Sequence, residues 1–138
     1  MSARDLFHQA VRNALEKEGW TITDDPLEIE LEDITFKIDL GAERLIAAEK
    51  GEEKIAVEIK SFASNSAISE FHTALGQLLN YQTMLEETES ERKLYLAVPE
   101  DAYTSFFQTR FAKITIKKYE LKIIVYNADK EVIIQWPT

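Results

Sequence analysis

No cysteine occurs among the 138 residues, which excludes disulfides and thiolate chemistry and makes a reducing, cytoplasmic setting the expectation. Basic side chains are scarce. Sixteen Lys and Arg against 25 Asp and Glu leave a net charge of −9, which works against nucleic-acid contact as a property of the whole surface. No apolar run approaches the length needed to cross a bilayer, and Met1-Ser2-Ala3-Arg4-Asp5 lacks the apolar core of a signal peptide, so no membrane association is expected. The four glycines form no phosphate-cradling cluster, which ranks RNA or nucleotide binding last. Internal repeats, low-complexity tracts and linkers are missing too. What remains is 45% hydrophobic and 30% charged, the composition of a folded globular chain, and its length fits one domain over 1–138.

The charge is unevenly spread: Glu28, Glu30, Glu32 and Asp33 cluster early, and Arg110, Lys113, Lys117, Lys118 and Lys122 form a late basic region. Such a local basic face suits a phosphate backbone or an acidic partner, or simply solvent. Leu6, Phe7, Ala10, Val11, Ala14 and Leu15 form the apolar stripe of a first helix, with Ser2 as its cap and Gly19 as its stop. His8, Arg12 and Glu16 lie on the opposite, wet side, where surface decoration is the plain reading of His8. Trp20 to Thr23 is extended and Asp24-Asp25-Pro26 is a turn signal. From Leu27 to Asp39 the residues alternate with a change of phase near Glu32-Asp33, which predicts a bulge or turn there. A second helix follows a cap at Asn65 or Ser66, with Ile68, Phe71, Leu75, Leu78 and Leu85 as its buried stripe. Thr73, Gln77 and Tyr81 share a neighbouring, mixed face. Lys93 to Val98 reads as an interior strand. Pro99 opens a further helix whose bulky face is Tyr103, Phe106, Phe107 and Phe111; core packing is the stronger reading of those rings and base stacking the weaker. Ile114-Thr115-Ile116 reads as a brief strand or a helix end, and Leu121 to Trp136 as a hairpin.

The most chemically suggestive stretch runs from Ile38 to Phe62. Read as a hairpin about Lys50-Gly51-Glu52-Glu53, its second strand places Ile55, Val57 and Ile59 on one face and Lys54, Glu58 and Lys60 on the other, with Ala56 leaving room for a neighbour. Glu58 and Lys60 then stand about 6.5–7 Å apart along the strand. Asp39, near the start of the first strand, is within reach of Glu58 across adjacent strands. Two carboxylates with a lysine beside them make a site for a hard cation. Glu43 and Glu49 compete with Asp39 for the first ligand position.

Asp39 followed nineteen positions later by Glu58-Ile59-Lys60 resembles the PD-(D/E)XK nuclease pattern, although Ile38 rather than Pro precedes Asp39. Ile38-Asp39-Leu40-Gly41-Ala42-Glu43, Ala47-Ala48-Glu49, Val57-Glu58-Ile59-Lys60-Ser61-Phe62 and Ala74-Leu75-Gly76-Gln77 resemble the XisH family, the cyanobacterial fdxN-element excision controlling factors. The likeness runs from Ala3-Arg4-Asp5 through Gly19 to Pro26 and on to Gln135-Trp136. It implies an α/β (α+β) fold with a mixed central sheet flanked by helices, a restriction-endonuclease-like core. It also implies Mg²⁺, replaceable by Mn²⁺, on Asp39, Glu58 and the Ile59 carbonyl. Lys60 would place the attacking water, and Gln77 and Tyr81 resemble the Gln-x-x-x-Tyr element beside such sites.

Two functions of different class follow. One is metal-dependent hydrolysis of DNA phosphodiesters in programmed excision. The other is a catalytically silent nuclease-fold adaptor that binds a small XisI-like protein or self-associates, a recombinase performing the strand exchange. No serine or tyrosine recombinase constellation is evident in the chain itself.

Overall fold

The computed structural model describes residues 3–32, 34–36, 45–63 and 65–137. The readings made at Ser2, Asp33, Ile38, Asp39, Gly41 and Glu43 lie outside the described residues. The first helix, α1, is Ala3–Lys17, and Gly19 at φ 92° turns the chain out of it into β1, Thr21–Asp24. A small ribbon follows, β2 (Ile29–Leu31) paired antiparallel with β3 (Ile34–Phe36), and Glu32 at φ 55° stands at the expected change of phase. The hairpin of β4 (Leu45–Lys50) and β5 (Glu53–Ile59) turns at Gly51, whose φ of 61° suits a residue without Cβ.

Helix α2 (Ala67–Thr88) is capped by Ser66, whose hydroxyl oxygen accepts from the Ser69 amide. Strand β6 (Lys93–Pro99) runs straight into a short helix α3 (Glu100–Thr104). A 3₁₀ turn at Phe106–Gln108, helix α4 (Arg110–Lys118) and strands β7 (Ile123–Asn127) and β8 (Val132–Gln135) complete the described chain. The single helix expected after Pro99 is therefore broken into pieces. Ser105 leaves helical geometry at ψ −89°, and extended Thr109 starts α4 afresh by accepting from the Ala112 amide. Ile114-Thr115-Ile116 belongs to α4.

The main sheet has the order β1-β4-β5-β6-β7-β8. Its centre, β5-β6-β7, is parallel, whereas β1, β4 and β8 are antiparallel to their neighbours, so the sheet is mixed as expected. Each face carries one core. Val11 and Leu15 of α1 pack on Ile46, Ile55, Val57, Ile59, Ile124 and Tyr126. Phe71, Ala74, Leu78, Tyr81 and Leu85 of α2 pack on Ala47, Ala56, Leu96, Val98 and Val125, with Leu27 and Ile29 from the ribbon region closing over them. Both faces of β5 are consequently buried. Among the described residues no helix is long and apolar enough to cross a membrane.

Candidate functional site

The alternation of β5 sends Ile55, Val57 and Ile59 toward α1 and Ala56 toward α2. Glu58 and Lys60 share the parity of Ala56. They do not form an exposed polar row: Glu58 is 0% exposed and Lys60 6%. The helix that follows the strand covers this face, and Ala56 is small enough to let Phe71 and Ala74 approach. Lys60 Nζ lies 4.0 Å from Glu58 Oε1, an ion pair taken out of water. Tyr81 of α2 lies near enough to Glu58 for its phenol to feel the carboxylate charge. Burial first, then the Glu58 charge, pushes the Tyr81 phenol far above the usual tyrosine range, so it is neutral at any ordinary pH.

Tyr81 was expected on a mixed surface face. It is 4% exposed and belongs to the buried stripe, which runs Phe71, Ala74, Leu78, Tyr81 and Leu85, whereas Ile68 stays 43% exposed and Leu75 is half-buried. Gln77 stands one helical turn before Tyr81; its Oε1 is buried and accepts no hydrogen bond from the described residues.

The backbone is held just beyond β5. Lys60 N–H donates to Ala97 O at 3.0 Å, which carries the parallel pairing one residue past the strand. Tyr126, fully buried at the carboxyl end of β7, donates its hydroxyl to the Lys60 carbonyl at 3.0 Å. Two residues on, Phe62 adopts φ 51°, the left-handed region that a side chain with a Cβ seldom occupies. Its ring lies 5.2 Å from that of Phe107, edge to face, so aromatic packing holds a strained exit from the strand. Sequence reasoning missed Tyr126. The signal available was a tyrosine in an apolar strand, whose hydroxyl needs a buried partner.

Glu58, Lys60 and Tyr81 are thus brought together. Asp39 and Glu43 lie outside the described residues, and described β4 begins at Leu45, directly across from Glu58. Glu49 is excluded as a co-ligand. It pairs with Lys54, four residues back along β5 from Glu58, or about 13 Å at the rise of a strand. Its carboxylate lies instead 3.8 Å from Arg92 Nη2. Among the described residues no group of three or more His, Asp or Glu is placed to share a metal ion.

His8 is no surface decoration. His8 Nε2 and Arg12 Nη1 each lie 2.7 Å from Asp25 Oδ2, tying the wet side of α1 to the turn after β1. Asp25, read as a turn residue, is the partner that sequence reasoning missed; Glu16 is exposed. Of the late basic residues, Arg110, Lys113, Lys117 and Lys118 ride on α4 and all, like Lys122, are exposed. Phe106 and Phe107 pack with Phe71 in the core, as expected of rings at helical spacing, whereas Phe111 is 47% exposed.

The family sequence model described as "XisH protein" matches residues 1–134. Two crystal structures superpose on the chain. One is of an XisH family protein from Nostoc punctiforme PCC 73102, with TM-score 0.89, 50% identity, and 97% of this chain and 100% of that one covered. The other is of an fdxN element excision controlling factor protein from Anabaena variabilis, also with TM-score 0.89 and 50% identity, covering 97% of this chain and 99% of that one. None of the curated proteins compared with the chain matches it.

Proposed function

The chain belongs to the XisH family, and from that premise we propose that it is an fdxN-element-type excision controlling factor whose sheet carries a PD-(D/E)XK-like centre for hydrolysis of DNA phosphodiesters. The observation that carries this reading is the burial of Glu58 and Lys60 as an ion pair at the carboxyl end of β5. Charge pairs removed from water add little net stability, so a fold gains little by keeping one unless it does chemistry there. A cytoplasmic location follows from the nature of the substrate.

The donor set suits a hard cation: a carboxylate from Glu58, the backbone carbonyl of Ile59, and Asp39 six positions ahead of Leu45 in the chain. Mg²⁺ or Mn²⁺ bound there would polarise a phosphoryl oxygen and lower the pKa of a coordinated water. Lys60, held by Glu58 and by a backbone fixed at Tyr126, orients that water and offsets the charge that grows on the phosphate. Tyr81 flanks the Glu58 carboxylate as a neutral phenol; Gln77, one turn away, has a buried amide oxygen free to accept from a water or a sugar hydroxyl. The exposed basic residues of α4 offer the backbone contacts that the rest of an acidic surface does not.

Calorimetric titration with Mn²⁺ tests the centre. Binding should be measurable in the wild type and lost in Glu58→Ala, and Mn²⁺-dependent nicking of supercoiled DNA should vanish in Glu58→Ala and Lys60→Ala. Equal nicking by wild type and both variants sinks the hydrolase reading. One observation favours the adaptor alternative, in which the scaffold only binds a small XisI-like protein: the Glu58 carboxylate is fully buried and flanked by Tyr81. Co-elution with such a partner by a chain silent to Mn²⁺ would establish it.

A further inference from the structure

At the amino end of β5, opposite to Glu58, the α1 face of the sheet carries a second site. Helix α1 stops at Lys17, and just past its end Glu18 and Trp20 reach the sheet beside Ile55 and Tyr95. Trp20, Tyr95 and Trp136 line a cleft there of about 410 Å³. The Trp136 ring lies 5.9 Å from that of Trp20 at a tilt of 31° and 5.5 Å from that of Tyr95, edge-on at 87°. Lys50 Nζ sits 5.8 Å from the centroid of the Trp20 ring. Its stem crosses Gly19, where a Cβ would meet Lys50 Cε at 3.4 Å. One of the chain's own ammonium groups already occupies an indole face.

The rim is acidic. Four carboxylates, Glu18, Glu52, Glu53 and Glu91, stand against three ammonium groups, Lys50, Lys54 and Lys93, and Lys54 is engaged by Glu91 at 3.7 Å. Glu18 accepts the Trp136 indole N–H at 2.9 Å, fixing both the ring and a carboxylate beside it. Burial raises the Tyr95 phenol pKa above its ordinary value and the Glu53 charge raises it further, so a carboxylate field reaches into the cleft. The carboxyl end of the α1 dipole adds to it. Aromatic faces between carboxylates bind cations, not phosphates.

We propose that this cleft receives the cationic side chain of a basic partner protein, an arginine guanidinium or lysine ammonium that replaces Lys50 against the indole rings between Glu18 and Glu53. The proposal is independent of the hydrolytic reading. Both tryptophans of the chain line the cleft, so intrinsic tryptophan emission reports on it alone. The test is titration of the full chain with a capped Gly-Arg-Gly peptide and with its citrulline counterpart, which has the same shape without the charge. A saturable emission change is expected, about fivefold tighter for the arginine peptide. Affinity should fall about threefold or more in a Glu18→Gln/Glu53→Gln chain and rise about two- to fivefold in Lys50→Ala, where the internal competitor is gone. All three substituted side chains are exposed, so the fold is retained. Equal binding of the citrulline peptide, no saturation, an unchanged Lys50→Ala affinity, or tighter binding of adenosine monophosphate than of the arginine peptide overturns the proposal.

Discussion

Replacing Lys60 with methionine keeps most of its volume and removes its charge, leaving the Glu58 carboxylate at 0% exposure without the ammonium now 4.0 Å away. With an effective dielectric constant of 20, that separation corresponds to an attraction of about 4 kcal/mol. Desolvating each ion costs several kcal/mol, so the intact pair roughly breaks even. The single substitution Lys60→Met removes the attraction and keeps the Glu58 penalty, so a loss of about 3–5 kcal/mol is expected. Adding Glu58→Gln removes the penalty as well and keeps the shape of the side chain. The double variant should return to within about 1–2 kcal/mol of wild type, more stable than the single from which it was made. Urea unfolding of wild type, both singles and the double closes the cycle, with an unchanged m-value as the check that the unfolded state is the same. A double variant no more stable than Lys60→Met refutes the reasoning, because Glu58 would then be supported by something other than Lys60. The burial of the pair would in that case say nothing about function.

Tyr126→Phe deletes one hydroxyl and strands the buried Lys60 carbonyl, which should cost about 1–3 kcal/mol in urea unfolding at nearly constant packing; a loss below the noise would show that the carbonyl finds another donor. The Tyr81 phenol has a folded pKa above its unfolded value, so the stability linked to it is fully present below about pH 10 and declines as pH rises past that point. Over that alkaline range wild type should lose about 1.4 kcal/mol per pH unit more than Tyr81→Phe, and parallel alkaline curves would contradict the assignment. Phe71 is fully buried against the rings of Phe106, Phe107 and Phe111; Phe71→Ala should cost about 3–5 kcal/mol by thermal or urea unfolding, and a cost under 1 kcal/mol would mean that the aromatic cluster is not a packed core.

Strand alternation at Ile55, Val57 and Ile59 identified β5 and the parity of Glu58 and Lys60 from the sequence alone, because a period of two assigns residues to faces whatever covers them. Burial is a different quantity. Which face meets solvent depends on where α2 packs, and a single chain encodes that only through hints such as the small Ala56. The stripe of α2 went astray for the same reason. Ile68 and Leu75 have the right spacing but lie off the contact line, whereas Tyr81, polar at its tip, lies on it beside Glu58. Spacing alone joins Tyr103 to Phe111 into one helix; the chain breaks at Ser105 and restarts at Thr109, whose hydroxyl caps α4. Partners distant in sequence had no local signal. His8 is 17 residues from Asp25 and Tyr126 is 66 from Lys60.

The two ends of β5 differ for a topological reason. In a parallel set of strands the carboxyl ends point the same way, so residues from several strands gather at that edge. Here β5, β6 and β7 are parallel, and Glu58 and Lys60, Val98 and Tyr126 come from their carboxyl ends. Groups that meet at one place, such as Lys60, its carbonyl clamp Tyr126 and the Tyr81 phenol beside Glu58, can therefore be contributed by three elements without bending any strand. The amino ends meet a hairpin turn and the terminus of α1 instead, so that edge is built from aromatic rings and charged stems rather than converging backbone. Phosphate chemistry suits the first edge, where buried charges face one another at fixed distance. Recognition of a partner's cation suits the second, where an ammonium group already rests on an indole ring beside carboxylates. The 13 Å of strand between Glu49 and Glu58 keeps the two from sharing charge, so a substitution at Glu18 or Glu53 should leave the Mn²⁺ titration proposed for Glu58 the same as that of wild type.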